Sequence, residues 1–288
     1  MTMQLDVGFI GLGAMGWSMA GHLKRIGLLR AVSNRSAAKA DAFAKEFGVA
    51  AGTPAEVATK CNAIALCVSA DADVLAVVRE IAAHAKPGTV VIDHSTVSSE
   101  TARAAHALMR QAGGDFIDAP VSGGVEGAKN GKLSIMAGGD ADTLARVRPL
   151  LDAYGARITH MGPVGAGQNT KAVNQVLIAG IAQGVCEGLA LGEALGLDPA
   201  QLLPTLMSGA AGCWFLEKRG ATMLRNEFGS GFKLALLHKD LGIVRELAAQ
   251  AGTDRSVTEK ALADYGTLMA QSRGDEEISA LIRLKRAR

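Results

Sequence analysis

Three stretches of this 288-residue chain have the residue types and spacing to do chemistry. Gly11-Leu12-Gly13-Ala14-Met15-Gly16 is a G-x-G-x-x-G turn that follows the apolar run Val7 to Ile10 and precedes Met15, Met19, Leu23 and Ile26 at helical spacing. A strand, turn and helix in this order suit a dinucleotide. Gly11 permits the tight turn, Gly13 lets backbone N–H groups approach a pyrophosphate, and Gly16 lets the helix lie close to the strand. The helix N-terminus then faces the phosphates. The second stretch, Asp118 to Ala128, holds Ser122-Gly123-Gly124, whose backbone N–H groups and one hydroxyl make a pocket for a substrate carboxylate; its plain alternative is a strand end with a flexible loop.

The third stretch, Gly165 to Gln175, puts Lys171 in the first turns of a long helical pattern, where a cation opposes the helix dipole. It is either a surface lysine or a proton donor and acceptor. For the second role, burial beside a helix N-terminus lowers its pKa, and the amides of Asn174 and Gln175, one turn on, hold the ammonium or a substrate hydroxyl.

About twenty residues past a glycine turn, the second strand end reads the adenosine ribose. Here it is Val32-Ser33-Asn34-Arg35-Ser36, with no acid nearer than Asp41. Arg35 and Ser36 offer a guanidinium fork and a hydroxyl to a 2′-phosphate, so NADP is favoured over NAD. Ser36 also suits the cap of the next helix.

Positioning these groups takes an ordered frame. Strand-like runs at Val7 to Ile10, Arg30 to Ser33, Ala63 to Val68, Val90 to Asp93, Asp115 to Ala119, Ser134 to Ala137 and Ile158 to Met161 alternate with amphipathic runs such as Ala37 to Phe47, Asp73 to Ala85, Ser98 to Ala112 and Ala141 to Tyr154. The alternation predicts βαβ units on a parallel sheet. After Met161-Gly162-Pro163 only helical patterns follow, which sets domains at 1–163 and 164–288. Gln168 to Leu195 reads as one helix, apolar around much of its girth, which predicts burial on several sides and against a second subunit. A Pro199-started helix follows it.

Composition narrows the classes. Hydrophobic residues make up 49% and charged residues 20%, enough for a buried core. A net charge of +2 gives no general field for nucleic acid. The basic end, Arg283 to Arg288, reads as a solvated helix end. Cys61, Cys67, Cys186 and Cys213 show no metal-ligand spacing and read as small buried hydrophobes of a reducing compartment. The apolar stretch Ala172 to Leu197 carries Asn174, Gln175, Gln183, Glu187 and Glu193, which are costly in lipid, so no membrane span is expected. No leader pattern precedes the first strand, and a cytoplasmic location is expected.

Taken in order, Gly8 to Gly16, Asp118 to Gly124, Gly165 to Lys171 and Lys239-Asp240-Leu241-Gly242 resemble the β-hydroxyacid dehydrogenase family over essentially the whole length. The resemblance implies a Rossmann-type α/β N-terminal domain and an all-α C-terminal domain, as in 6-phosphogluconate dehydrogenase. The chain is much too short for that enzyme's own large helical domain. It implies Lys171 as general acid in reduction and base in oxidation, and Ser122, Gly123 and Gly124 on a substrate carboxylate. Lys239 is implied on the nicotinamide side, Ser95 and Thr96 at the nicotinamide ribose, and Val68 and Ser69 in a cofactor-contacting loop. Trp214 and Phe232 fall where the family lines its pocket, and core packing is the alternative for each; Trp17 reads as helix packing. Family members often carry asparagine four residues after the lysine, whereas here Gln175 stands there and Asn174 precedes it. Asn34-Arg35-Ser36 is similar to the NADPH-using semialdehyde and glyoxylate reductases. The expectation is an NADP(H)-dependent oxidoreductase interconverting a small β-hydroxyacid and its semialdehyde or keto acid in a cleft between domains, as a homodimer or homotetramer. Its alternatives are an NAD-dependent 3-hydroxyisobutyrate-type dehydrogenase, an imine reductase-like enzyme, and a non-catalytic NADP-binding scaffold.

Overall fold

The computed structural model describes residues 5–229 and 231–286. The chain divides into two compact units, residues 1–171 and 172–288.

In the first unit, strands β1 (Val7–Ile10), β2 (Leu29–Ser33), β3 (Ala50–Ala51), β4 (Ala63–Leu66), β5 (Val90–Asp93), β6 (Asp115–Asp118), β7 (Val121–Ser122), β8 (Leu133–Gly138) and β9 (Gly155–Gly162) form one sheet. Helices α1 (Gly16–Arg25), α2 (Ala37–Phe47), α3 (Pro54–Lys60), α4 (Asp71–His84), α5 (Ser99–Gln111), α6 (Gly124–Asn130) and α7 (Ala141–Leu151) connect them. The sheet order is β3-β2-β1-β4-β5-β6-β8-β7, with β9 also on β8. From β3 to β6 all pairing is parallel, as expected. The expectation of a wholly parallel sheet fails beyond β6: β8 runs antiparallel to both β6 and β7. The chain turns back there through the short helix α6 instead of making a full crossover, and only a full crossover returns a strand parallel.

Helices on both faces explain the near-continuous apolar strands. Along β1 and β4 the side chains alternate between two cores. Val7, Phe9, Ala63 and Ala65 pack with Met19, Leu23, Phe43 and Val147, whereas Ile10, Ile64 and Leu66 pack with Val57, Val78, Ile81 and Ala105. Trp17 is indeed a packing residue, edge-on to Phe43 with ring centroids 4.9 Å apart. Two strands escaped the sequence reading, β3 and β7, because two residues are too few to show a period.

Helix α8 (Ala166–Ala194) runs from the first unit into the second, which adds α9 (Pro199–Met207), α10 (Trp214–Leu224), α11 (Leu234–Ala251), α12 (Ser256–Ala270) and a 3₁₀ helix, Ile278–Leu284. Its core joins Ala179, Ala182, Cys186 and Leu189 of α8 to Phe215, Leu237, Leu241, Tyr265 and Leu281. Within one chain the rest of α8 is uncovered: Val173, Leu177, Ile181 and Leu191 stand 61%, 61%, 41% and 60% exposed. By length and mean hydropathy, 1.4, α8 would also suit a membrane span, but its buried face joins the core.

The basic C-terminal end is not a solvated helix end. The 3₁₀ helix is largely buried, the Arg283 guanidinium lies 4.5 Å over the Phe228 ring, and Lys285 and Arg286 pair with Asp264 and Glu193 at 3.0 and 2.7 Å. Ala287 and Arg288 fall outside the described residues. The four cysteines are free. Burial pushes the Cys61 thiol up to about 11 and those of Cys67 and Cys186 up to about 12. Cys67 and Cys213 depart from the buried-hydrophobe reading in being only half-buried, and the Cys213 Sγ accepts the Leu216 N–H at the start of α10.

Candidate active site

The glycine turn lies between β1 and α1, as its spacing requires. Gly11 has φ +96°, a conformation that L side chains rarely adopt, and a Cβ there would strike the Cys67 carbonyl. A Cβ on Gly16 would run into the Gly11 carbonyl, so the helix starts tight against the turn. Around the Gly13 Cα there is open space. Gly13 and Ala14 are exposed, Met15 is half-buried, and Leu12 is buried. An exposed backbone at a helix N-terminus with no Cβ in the way fits a dinucleotide pyrophosphate.

Asn34 holds the glycine turn from the end of β2. Its Oδ1 accepts the Leu12 N–H at 2.9 Å and its Nδ2 donates to the Ser36 carbonyl at 3.2 Å, which pins the end of β2 to the glycine turn. Ser36 sits at the N-cap position of α2, but its side chain makes no capping bond. Arg35 has an 88% exposed side chain, and its Nη1 is 3.8 Å from Asp73 Oδ1. That acid comes from the first turn of α4, so no scan of the residues around β2 could reveal it.

The loops after β4 and β5 are bonded together. Ser95 Oγ accepts the Val68 N–H at 2.9 Å, and Asp93 Oδ1 accepts the Ser95 N–H at 2.9 Å. Ser95 is buried, Thr96 half-buried and Ser69 exposed. Next to Ser95, the buried imidazole of His94 donates from Nδ1 to the Ala119 carbonyl and accepts at Nε2 from the Tyr154 hydroxyl, both at 2.7 Å. Burial brings His94 down to about 4.

The alternative of a strand end with a flexible loop fails in part: strand β7 is followed at once by helix α6. Gly123, with φ +125°, occupies its N-cap position and Gly124, with φ +60°, follows, both exposed. Such φ values explain the pair of glycines. Ser122 is half-buried on β7.

Lys171 is not a surface lysine: it is 7% exposed, and its Nζ donates to the Val121 carbonyl at 2.9 Å. The fold thereby brings the lysine to the residue just before Ser122. What seats its helix is Asp118, at the end of β6 and fully buried. Its Oδ1 accepts the Gly165 N–H at 2.8 Å and its Oδ2 the Gln168 N–H at 2.9 Å. Burial pushes the Asp118 carboxyl up to about 6 despite these bonds, which pull the other way. A carboxylate at a helix N-terminus also meets the favourable end of the dipole. Gly167 is required for the close fit, because a Cβ there would strike the Met136 and Asp118 carbonyls.

In the second unit Gln175 is fully buried and uses both ends of its amide. Its Oε1 accepts from Asn174 Nδ2 at 2.8 Å and its Nε2 donates to Asp240 Oδ2 at 2.6 Å. Asp240 also pairs with Lys239 across 2.9 Å, so Gln175 and Lys239 meet at one buried carboxylate, and Asn174 joins them through the Gln175 amide. Phe232 packs against this unit's core, while Trp214 is 52% exposed at the start of α10, with the Arg219 guanidinium 5.5 Å from its ring. Asp118, Gln168 and Asp73 are the residues that sequence reasoning missed. Only the closing of β6, the loop after β5 and α4 onto their partners reveals them.

Residues 6–162 match the family described as the NAD binding domain of 6-phosphogluconate dehydrogenase, and residues 165–285 match the NAD-binding family of NADP-dependent 3-hydroxyisobutyrate dehydrogenase. The chain belongs to the β-hydroxyacid dehydrogenase family. Among its β-hydroxyacid dehydrogenase relatives, the NAD-dependent L-serine dehydrogenase of Pseudomonas aeruginosa is 34% identical, with 97% of each chain covered. An uncharacterized oxidoreductase of Shewanella frigidimarina is 38% identical, over 98% of this chain and 99% of that one. The solved structure of Mycobacterium tuberculosis 3-hydroxyisobutyrate dehydrogenase with L-serine superposes with a TM-score of 0.89 at 32% identity, covering 99% of this chain and 100% of that one. Like the family, this chain is an NAD(P)-dependent oxidoreductase acting on CH–OH groups, with a Rossmann-type first domain and a helical second domain.

Proposed function

We propose that the protein interconverts a small β-hydroxyacid and its semialdehyde or keto acid, with NADP(H) as cofactor and Lys171 as the proton-transfer group. The observation that carries this reading is the buried Lys171 ammonium, bonded to the carbonyl one residue before Ser122. An ammonium in that position can give a proton to a carbonyl oxygen as it becomes an alkoxide, and in oxidation the neutral amine takes the hydroxyl proton back. Ser122 and the backbone of Gly123 and Gly124 hold the substrate carboxylate. When bound, the nicotinamide supplies or accepts the hydride, and the protein contributes placement and charge.

Support for NADP over NAD is the exposed Arg35 guanidinium at the end of β2, beside the Ser36 hydroxyl. One observation favours a second reading, NAD use: the Asp73 carboxylate already faces Arg35 and would repel a 2′-phosphate. The relative named an NAD-dependent L-serine dehydrogenase fits that reading too.

The exposed row Val173, Leu177, Ile181 and Leu191 on α8 supports a homo-oligomer that covers it. Steady-state assays test the main reading. Oxidation of L-serine and 3-hydroxyisobutyrate, and reduction of glyoxylate and of succinic, malonic and tartronic semialdehydes, are measured with both cofactors. Turnover of at least one acid, faster with the phosphorylated cofactor, is the expected result. No turnover of any acid overturns the reaction class, and a preference for NADH overturns the cofactor assignment.

A further inference from the structure

We propose that Gln168 is a positioning residue that fixes the Ser95–Val97 loop to the first turn of α8, and so sets the nicotinamide end of the cofactor against Lys171. This rests on the reading above of Ser95 and Thr96 as groups at the nicotinamide ribose.

Gln168 is 3% exposed and every polar group it owns near the helix start is engaged. Its Nε2 donates to the Ser95 carbonyl at 2.8 Å, its Oε1 accepts the Val97 N–H at 3.2 Å, and its main-chain N–H donates to Asp118 Oδ2 at 2.9 Å. One side chain therefore joins the loop after β5 to the helix that bears the lysine, while Asp118 joins that helix to the end of β6. The tie extends further, because Ser95 Oγ accepts the Val68 N–H of the loop after β4. Lys171 lies three residues on, about 4.5 Å along the helix axis and on the same side. Its own Nζ is held at the Val121 carbonyl.

An amide is the group this place demands. It must donate to one main-chain carbonyl and accept from a main-chain N–H two residues later, in a buried site where an unmet partner is costly. Glutamate has the same shape, but when ionised it can only accept, and it would face the Ser95 carbonyl with a second acceptor. Methionine has nearly the same length and offers neither function. Displacement of a loop by about 1 Å costs on the order of 100-fold in rate where donor and acceptor must be aligned.

The test uses Gln168→Met and Gln168→Glu in the full chain at pH 8. Calorimetric affinities are measured for NADPH against 2′,5′-ADP, and for NADH against ADP; the shorter ligands lack the nicotinamide and its ribose. With both variants, affinity for the complete dinucleotide is expected to fall about tenfold, the loss of one buried hydrogen bond. Affinity for the shorter ligands stays unchanged. On a substrate that the wild type turns over, kcat falls more than the substrate KM changes, and the isotope effect with nicotinamide-4-deuterated cofactor rises. Unchanged dinucleotide affinity in both variants, or a parallel loss of the short ligands, overturns the proposal. Should one variant fail to fold by its melting curve, the other decides. The affinity comparison needs no turnover. A wild type inactive on every acid therefore removes the reaction assignment and still leaves the role of Gln168 to be read from binding.

Discussion

Lys171 Nζ donates to the main-chain carbonyl of Val121 at 2.9 Å, and the lysine is 7% exposed. A long cationic side chain is buried only when it is bonded, and this one is bonded to the backbone immediately ahead of Ser122. The contact holds the ammonium beside the residues assigned to the substrate carboxylate.

Lys171→Ala is expected to bind NADPH with wild-type affinity and to lose a factor of about 100 to 10,000 in kcat, the usual weight of a general acid or base. Calorimetry and steady-state kinetics check both halves. Retained turnover would take the lysine out of the mechanism.

Arg35→Asp should move cofactor preference towards NADH. Removing a charge-assisted bond to phosphate is worth about 1.5–3 kcal/mol, or roughly 10- to 100-fold in the ratio of kcat/KM values. Asp73→Asn should move the ratio the other way by freeing Arg35 from its 3.8 Å partner. If neither ratio changes, other groups read the 2′ position.

Gln175→Leu should destabilise the protein by about 1–3 kcal/mol, because it leaves the buried Asp240 Oδ2 without the amide that now donates at 2.6 Å. Asn174 loses its acceptor in the same variant. Gln175→Glu should cost more, since it sets a second carboxylate against Asp240. Urea unfolding of the three proteins at pH 8 gives the comparison; a Leu variant as stable as the wild type would show that the bond contributes nothing net.

The His94–Tyr154 pair makes stability pH-dependent. Burial holds His94 at about 4, below the 6.5 of an unfolded imidazole, so between these values the unfolded chain binds more protons. Stability is therefore fully present above about pH 6.5 and falls as the pH drops through that window, by up to about 3 kcal/mol at 1.36 kcal/mol per pH unit. Asp118 acts in the opposite sense. With its carboxyl raised to about 6, it contributes stability below about pH 4 that is lost as the pH rises through 6. His94→Asn isolates the histidine: its unfolding free energy minus that of the wild type should rise steadily on going from pH 7 to pH 4.5. A flat difference would place no proton linkage at His94.

The sequence by itself determined the local frame. The near-continuous apolar runs marked β1, β2, β4 and β5 because both faces of that sheet are covered, and the glycines marked the turn because at 11 and 16 only a residue without Cβ fits it. Helix α2 coincides with its expected span, Ala37 to Phe47, and its Gly48 stop, at φ +62°, is local. The sequence also singled out Lys171, from a cation placed where the dipole disfavours it.

Tertiary structure alone decided which partner each polar group meets. Asp118 caps a helix 47 and 50 residues away, Gln168 grips a loop 71 and 73 residues back, Gln175 finds Asp240 65 residues on, and Asp73 arrives beside Arg35 from a different element. Spacing along a chain encodes which face a side chain takes within one helix or strand. Contacts across such separations are set by how the elements pack, and burial then selects the pairs because an unpaired polar group inside the protein is too costly to keep.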